Sequence, residues 1–273
     1  MPEAFFRPHI PRGDLSRFVQ FIWIARGRVP HKRERVLPNG VIELIINLGG
    51  PHNVLERDDY SQRTVYRDCW LAGIQSRHLV IESLYDTDLI GIRFKPGGAY
   101  AFFGMPLSEV TDQVVEFDLI DRVLCDELRG RVLQAKDDAA RIECIERTLR
   151  QRLLSELAGH PAVQFVCDAI RATSGLVRIA DLVERTGLSH RRLMDHFERN
   201  VGMTPKALAQ VYKFQNVLKR IERELAPDWS QVAAECGYYD QPHLNHEFRR
   251  LSGLTPTQYL ATRLQDFNHT VAD

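Results

Sequence analysis

Val183-Glu184-Arg185-Thr186-Gly187 and Ala233-Ala234-Glu235-Cys236-Gly237 open two stretches of the chain that run in parallel from there on. Leu193, Phe197, Gly202 and Thr204-Pro205 in the first correspond to Leu244, Phe248, Gly253 and Thr255-Pro256 in the second, with one extra residue after Gly237. A repeat of this kind implies one structural unit used twice. Each copy reads as a short helix, a turn built on Gly and a second helix, the helix-turn-helix pattern. Gly187 and Gly237 fall where the chain must reverse at positive φ, and Ser189 and Asp240 stand where the N-caps of the second helices belong.

Leu193 and Phe197, like Leu244 and Phe248, are four residues apart and share one buried helix face. The opposite face of the first unit offers His190, Arg191, Met194 and Asp195, with Ser189 at its start; that of the second offers Gln241, Pro242, His243, Asn245, His246 and Arg249. These side chains are the candidates for contact with double-stranded DNA. Arg191 can meet a guanine bidentately or hold a phosphate. Between the units, Lys206 to Arg223 contains neither Gly nor Pro, which predicts one continuous helix of 18 residues, roughly 27 Å long. Successive major grooves on one face of B-DNA repeat every ~34 Å, so such a helix can hold two recognition helices near that separation.

Outward from the repeat the pattern changes. From about Ala139, Ile142, Ile145, Leu149, Leu153 and Leu157 recur at three- and four-residue steps, the mark of an amphipathic helix that Gly159-His160-Pro161 ends. So narrow a stripe resembles a two-helix seam and suggests a homodimer, with packing inside one chain as the alternative. Further upstream, Phe18–Ile24, Val41–Leu48, His78–Ile81 and Leu89–Phe94 are short β-branched or aromatic runs separated by Pro38-Asn39-Gly40, Gly49-Gly50-Pro51 and Pro96-Gly97-Gly98, which is strand punctuation. The fold expected is α+β: a β-rich barrel or sandwich-like domain over 1–105, a helical connector over 106–158, and an all-α domain over 160–273. A chain of 273 residues is long enough for two such cores.

At the level of residues, Leu188-Ser189-His190-Arg191-Arg192-Leu193, Phe197 and Val201-Gly202-Met203-Thr204-Pro205-Lys206 resemble the first unit of the AraC-type transcription regulators. Cys236-Gly237-Tyr238-Tyr239-Asp240-Gln241-Pro242-His243-Leu244, with Phe248-Arg249-Arg250, Gly253 and Thr255-Pro256, is similar to that family's signature over nearly its whole length. The resemblance covers residues 162 to 263. It implies a sequence-specific transcription regulator whose partners are duplex DNA, a small-molecule effector and RNA polymerase. Val36-Leu37-Pro38-Asn39-Gly40 and Gly91-Ile92-Arg93-Phe94-Lys95-Pro96-Gly97-Gly98-Ala99 further resemble a sensor-type domain found ahead of such units. Asp195 departs from the family, which usually carries a base there, and His246 and Lys213 stand where Arg is frequent. An acid beside phosphates is unfavourable. Either the second unit contributes more of the affinity, or Asp195 accepts from a cytosine amino group.

Composition neither supports nor opposes this reading: 36 basic and 36 acidic residues leave a formal net charge of zero, so attraction to nucleic acid must come from local surfaces. The five cysteines are scattered and odd in number, without the paired spacing of zinc or redox sites, and read as buried thiols. His9, His31, His52 and His78 lack ligand spacing, and no G-x-S-x-G or activated-Cys context is present. No cofactor, metal or catalysed reaction is therefore expected. Trp23 and Trp70 read as core, and Pro96-Gly97-Gly98 as a plain strand-to-helix turn rather than an anion site. No stretch is long and apolar enough to span a bilayer and Met1 to Arg7 lacks a leader pattern, so the expected compartment is the cytoplasm. Two readings from other classes remain: an enzyme that the helical part targets to DNA, and a module that binds only protein.

Overall fold

A computed structural model of the chain describes residues 5–28, 31–84, 86–153 and 159–272. Its N-terminal part builds strands β1 (Phe5–His9), β2 (Val19–Gly27), β3 (Arg33–Val36), β4 (Ile42–Asn47), β5 (His52–Leu55), β6 (Arg63–Tyr66), β7 (Cys69–Ala72), β8 (Leu79–Ser83) and β9 (Thr87–Phe94). A single-turn helix α1 (Tyr100–Phe103) and strand β10 (Val114–Glu116) follow, and β11 (His269–Val271) comes from the far end of the chain. They form two antiparallel sheets, ordered β1-β2-β9-β4-β7-β10 and β11-β3-β8-β5-β6.

Alternation decides which way the first sheet faces. Ile42, Leu44 and Ile46 of β4, Ile22 and Ile24 of β2, and Ile90, Ile92 and Phe94 of β9 are buried residues of the main core. The intervening residues turn the other way: Trp23, Ile45 and Trp70 meet Tyr66 and Val54 of the second sheet in a smaller apolar cluster. Trp23 pairs with Gly91 across β2 and β9, and its indole covers that glycine so closely that a Cβ there would stand 2.0 Å from the ring. A glycine is therefore required at that crossing. The four strands read from apolar runs are all present within a residue or a few at their ends. Those missed are short or polar, such as Arg-Glu-Arg-Val in β3 and Arg-Thr-Val-Tyr in β6.

Two helices follow, α2 (Asp118–Gln134) and α3 (Asp138–Arg152). Within α2, Asp121 leaves helical geometry (φ −149°, ψ 88°) and its carboxylate accepts from Leu124 N at 2.9 Å, so it caps a fresh start of the helix. Asp137 caps α3 in the same way through Ala140 N. The α3 stripe is covered inside one chain: Ile145 and Leu149 are at most 1% exposed, in the same core as Leu124, Leu128 and Val132 of α2. Ile142 and Leu153 pack at its margin, and Leu157 lies outside the described residues. The two-helix seam between copies expected from the stripe is thereby corrected, because the periodicity reported an apolar face and α2 is its partner.

The C-terminal part is helical: α4 (Pro161–Ala172), α5 (Ile179–Thr186), α6 (His190–Val201), α7 (Pro205–Arg220), α8 (Trp229–Glu235), α9 (Gln241–Ser252) and α10 (Pro256–Thr262). One apolar core runs from Leu15 through the first sheet and the α2–α3 pair to Phe197, Phe214, Phe248 and Tyr259. The expected division of the chain is crossed twice. β10 extends the first sheet past residue 105, and β11, beyond the last helix, adds an edge to the second sheet by pairing with β3. No helix among the described residues is long and apolar enough to cross a membrane.

Candidate nucleic-acid interface

Both second helices start from a side-chain cap and end on a left-handed glycine. Ser189 accepts from Arg192 N at 3.4 Å to open α6, which stops at Gly202 (φ 95°); Asp240 accepts from His243 N at 2.8 Å to open α9, which stops at Gly253 (φ 73°). Gly187 and Gly237 hold the reversals before them at φ 68° and 74°. The extra residue of the second copy lengthens this turn and leaves Tyr239 92% exposed immediately ahead of α9.

Linking helix α7 is 16 residues long, hence roughly 24 Å, a little shorter than the 18 residues expected. Thr204 caps it two residues after Gly202, so the first unit is joined directly to its start. Its other end stops near Arg220 because Arg263 donates to the Ile221 and Glu224 carbonyls at 2.7 and 3.1 Å. The second unit is tied to α7 by Arg220 Nε on Glu235 at 2.6 Å and by Lys213 Nζ on the Gly237 carbonyl at 2.9 Å. Lys213, read as a departure from an expected Arg, holds the second turn in place, with its ammonium 5.7 Å from the Tyr238 ring.

The candidate residues divide by burial. Ser189, His190, Arg191 and Asp195 on α6, and Pro242, His243, His246 and Arg249 on α9, are exposed. Met194, Gln241 and Asn245 are half-buried. Each of the three stands three and seven residues before buried positions, Met194 before Phe197 and Val201, Gln241 before Leu244 and Phe248, Asn245 before Phe248 and Ser252. Met194 packs against the core, so its placing on the free face is corrected. Gln241 accepts from Ser230 Oγ at 3.2 Å, which ties α9 to α8.

Further along α9, Asn245, His246, Arg249, Arg250 and Thr255 line a shallow depression of about 410 Å³. Arg250 is held by both oxygens of Glu247, at 3.2 and 2.9 Å, and His246 Nδ1 stands 3.4 Å from the same carboxylate. Burial opposes the charge on Glu247, yet the hydrogen-bonded Arg250 guanidinium holds its carboxyl below the ordinary value. His243 Nδ1 accepts from Tyr239 N at 3.3 Å, which directs Nε2 outward as the donor. Arg192 and Tyr239 were absent from the sequence-derived set, and both are exposed beside its members. Arg192 could have been found from its place in the first turn of α6, Tyr239 from being the inserted residue. Among the described residues no group of three or more His, Cys, Asp or Glu is arranged to hold a metal ion.

Comparison with known proteins places both parts of the chain. Residues 182–262 match the family described as a helix-turn-helix domain, and residues 7–116 match a domain of unknown function, DUF6597. A probable transcriptional regulator, LumQ of Photobacterium leiognathi, is 30% identical over 83 residues, which are 30% of this chain and 33% of that protein. The chain thus spans about a third of the length of the curated relative it matches. Among solved structures, ToxT from Vibrio cholerae aligns over 88% of this chain and 98% of its own, at 12% identity and a TM-score of 0.48. The wild-type ToxT structure with bound unsaturated fatty acid aligns over 95% and 97%, at 10% identity and a TM-score of 0.46.

Proposed function

We propose that this chain, an AraC-type regulator in which a pair of helix-turn-helix units follows a β-rich domain, controls transcription by reading two neighbouring segments of major groove with α6 and α9. One observation carries the reading: two capped, equivalent helices, each with exposed basic or polar residues, precede and follow one continuous helix in the chain, and the second unit packs on that helix through Phe214 and Phe248. Arg191 and Arg192 lead the first helix; His243, His246 and Arg249 serve the second. Ser189 acts as a cap and Asp195 as a candidate acceptor for a cytosine amino group.

The remaining parts of the reading follow the domain order. The β-rich domain receives a small-molecule effector or mediates association, with the half-buried group of Trp23, Glu43, Arg93 and Phe21 as the polar and aromatic lining such a ligand would meet. There Glu43 accepts from Trp23 Nε1 at 3.0 Å and from Arg93 Nε at 2.7 Å. The protein works in the cytoplasm, contacts RNA polymerase from its DNA site and catalyses no reaction. Selection of bound sequences from a random duplex pool by the full chain tests the function. Enrichment of a two-part motif, with affinity falling steeply as salt rises, is expected. A pool that stays random, with no salt-sensitive duplex binding, would refute it.

A further inference from the structure

Gln215 sits on the linking helix α7 among its buried residues and is only 7% exposed. Its amide nitrogen donates twice, to the Pro38 carbonyl at 2.6 Å and to Asn268 Oδ1 at 2.7 Å. Pro38 belongs to the β-rich domain, Asn268 to the tail beyond the second unit. The same two segments are tied to each other, Leu37 N donating to the Asn268 carbonyl at 2.8 Å just before β11 joins β3. One side chain on α7 therefore holds three parts of the chain together. Both of its protons are used, and a buried amide left unpaired costs far more than a surface one.

The Pro38-Asn39-Gly40 turn is shaped for this contact. Gly40 lies at φ 76°, and a Cβ there would stand 3.1 to 3.6 Å from Leu208, Tyr212 and Val211 of α7, so the turn rests directly on the linking helix. The β-rich part also grips each unit separately. Thr111 Oγ1 donates to the Gly202 carbonyl and Arg199 Nε to Tyr100 Oη at 2.9 Å, at the end of α6. His78 N donates to the Leu251 carbonyl at 2.8 Å, and its ring packs on Gly253, at the end of α9. Two helices joined only through α7 could flex about its ends. Here a second body touches both units and the helix between them.

We infer that the β-rich domain is a brace that fixes the relative setting of the two reading helices, and that Gln215 is the positioning residue at its centre. The inference rests on the proposed reading of two groove segments and names what sets their spacing. It leads to a function for the turn that the sequence marked only by its Pro-Asn-Gly composition: Pro38 to Gly40 is where a change in the β-rich domain reaches the DNA-binding part.

The test uses the full chain, a duplex it selects from a random pool, and the same duplex with one base pair inserted between the two half-motifs. That insertion moves one half by ~3.4 Å and turns it by roughly 35°. The intact chain should lose about tenfold or more in affinity on the altered spacing. Gln215→Met keeps the shape and removes both donors; it should lose less than about threefold, while hydrogen exchange at the Leu37 and Ala272 amides speeds up. Asn268→Ala, which removes one acceptor and leaves α7 intact, should shift the ratio the same way if Gln215→Met folds poorly. A merely structural loss would weaken both duplexes equally and leave the ratio at its original value, which would overturn the inference. Failure of the intact chain to select any duplex would instead overturn the proposed function, and the two failures are told apart by which protein shows them.

Discussion

Leu149 decides between two accounts of the α3 stripe. It is fully buried within one chain, among Leu124, Leu128 and Ile145, and truncating it to Ala deletes three carbons from a packed site. Such a change costs about 2–5 kcal/mol, a sizeable share of the roughly 5–15 kcal/mol that holds an ordinary protein folded. For a chain of this size the melting midpoint should drop by roughly 5–20 °C. Because the partner surface is in the same chain, that drop should not depend on protein concentration. A seam between two copies would behave otherwise, since dilution would lower the midpoint by mass action and the variant would sediment at half the mass. Circular dichroism melts at two concentrations a hundredfold apart, with sedimentation velocity on both proteins, separate the cases. A midpoint of the intact chain that falls on dilution, together with a Leu149→Ala chain of half the mass and little intrinsic destabilisation, would refute the packing described above.

Removing either cap, Ser189→Ala or Asp240→Ala, should cost about 1 kcal/mol of stability in urea titrations; the Asp240 change should be the larger, since its hydrogen bond is the shorter at 2.8 against 3.4 Å. His269 Nδ1 stands 2.9 Å from Glu34, and although burial opposes its charge, the Glu34 hydrogen bond with Asp266 and Glu43 nearby raises its pKa above the ordinary 6.5. The contribution to stability is then fully present below pH 6.5 and is lost as pH rises through the folded value. His269→Gln should flatten the fall of the urea midpoint above pH 6.5, and an unchanged slope would remove the ion pair from that role.

The repeat was legible because everything that makes it is local. A capping Ser or Asp, a glycine at positive φ and apolar residues four apart are each decided within one turn of chain, so Ser189, Asp240, Gly187 and Gly237 stand where the sequence put them. Of the second sheet only β8 was legible, and its other strands were not, for the opposite reason. β3 and β6 are mostly charged or polar, and β11 is three residues long and pairs with a strand more than two hundred residues earlier in the chain. Nothing in His-Thr-Val itself announces that partner. The stripe on α3 shows the same limit from the other side, since a helical period reports that a face is buried and is silent about what buries it. Met194 was misplaced by treating every residue off the Leu193–Phe197 line as free, when its relation to Phe197 and Val201 puts it on the edge of the buried face.

The two exposed faces also differ in a way that binding can measure. Arg191 is the second residue of α6, whereas Arg249 is the ninth of α9 and so lies roughly 12 Å along the helix from its start. A recognition helix meets base edges with its N-terminal residues, so on the proposed reading Arg191 is expected to read and Arg249 to hold the strand backbone. Arg249 shares its depression with Asn245 and His246, and the neighbouring Arg250 is engaged by Glu247, whereas the Arg249 side chain has no hydrogen-bond or salt-bridge partner among the described residues. A base contact matters at one position in one sequence; a phosphate contact matters for all sequences alike. Arg191→Ala should therefore cost about 1–3 kcal/mol on a selected duplex and much less on random duplex. Arg249→Ala should weaken both similarly and lower the slope of log affinity against log salt by roughly one. Competition titrations of each variant on both duplexes at two salt concentrations give the four comparisons. If the two variants are indistinguishable on both duplexes, the separation of reading from grip along these helices is wrong, even for a protein that binds DNA.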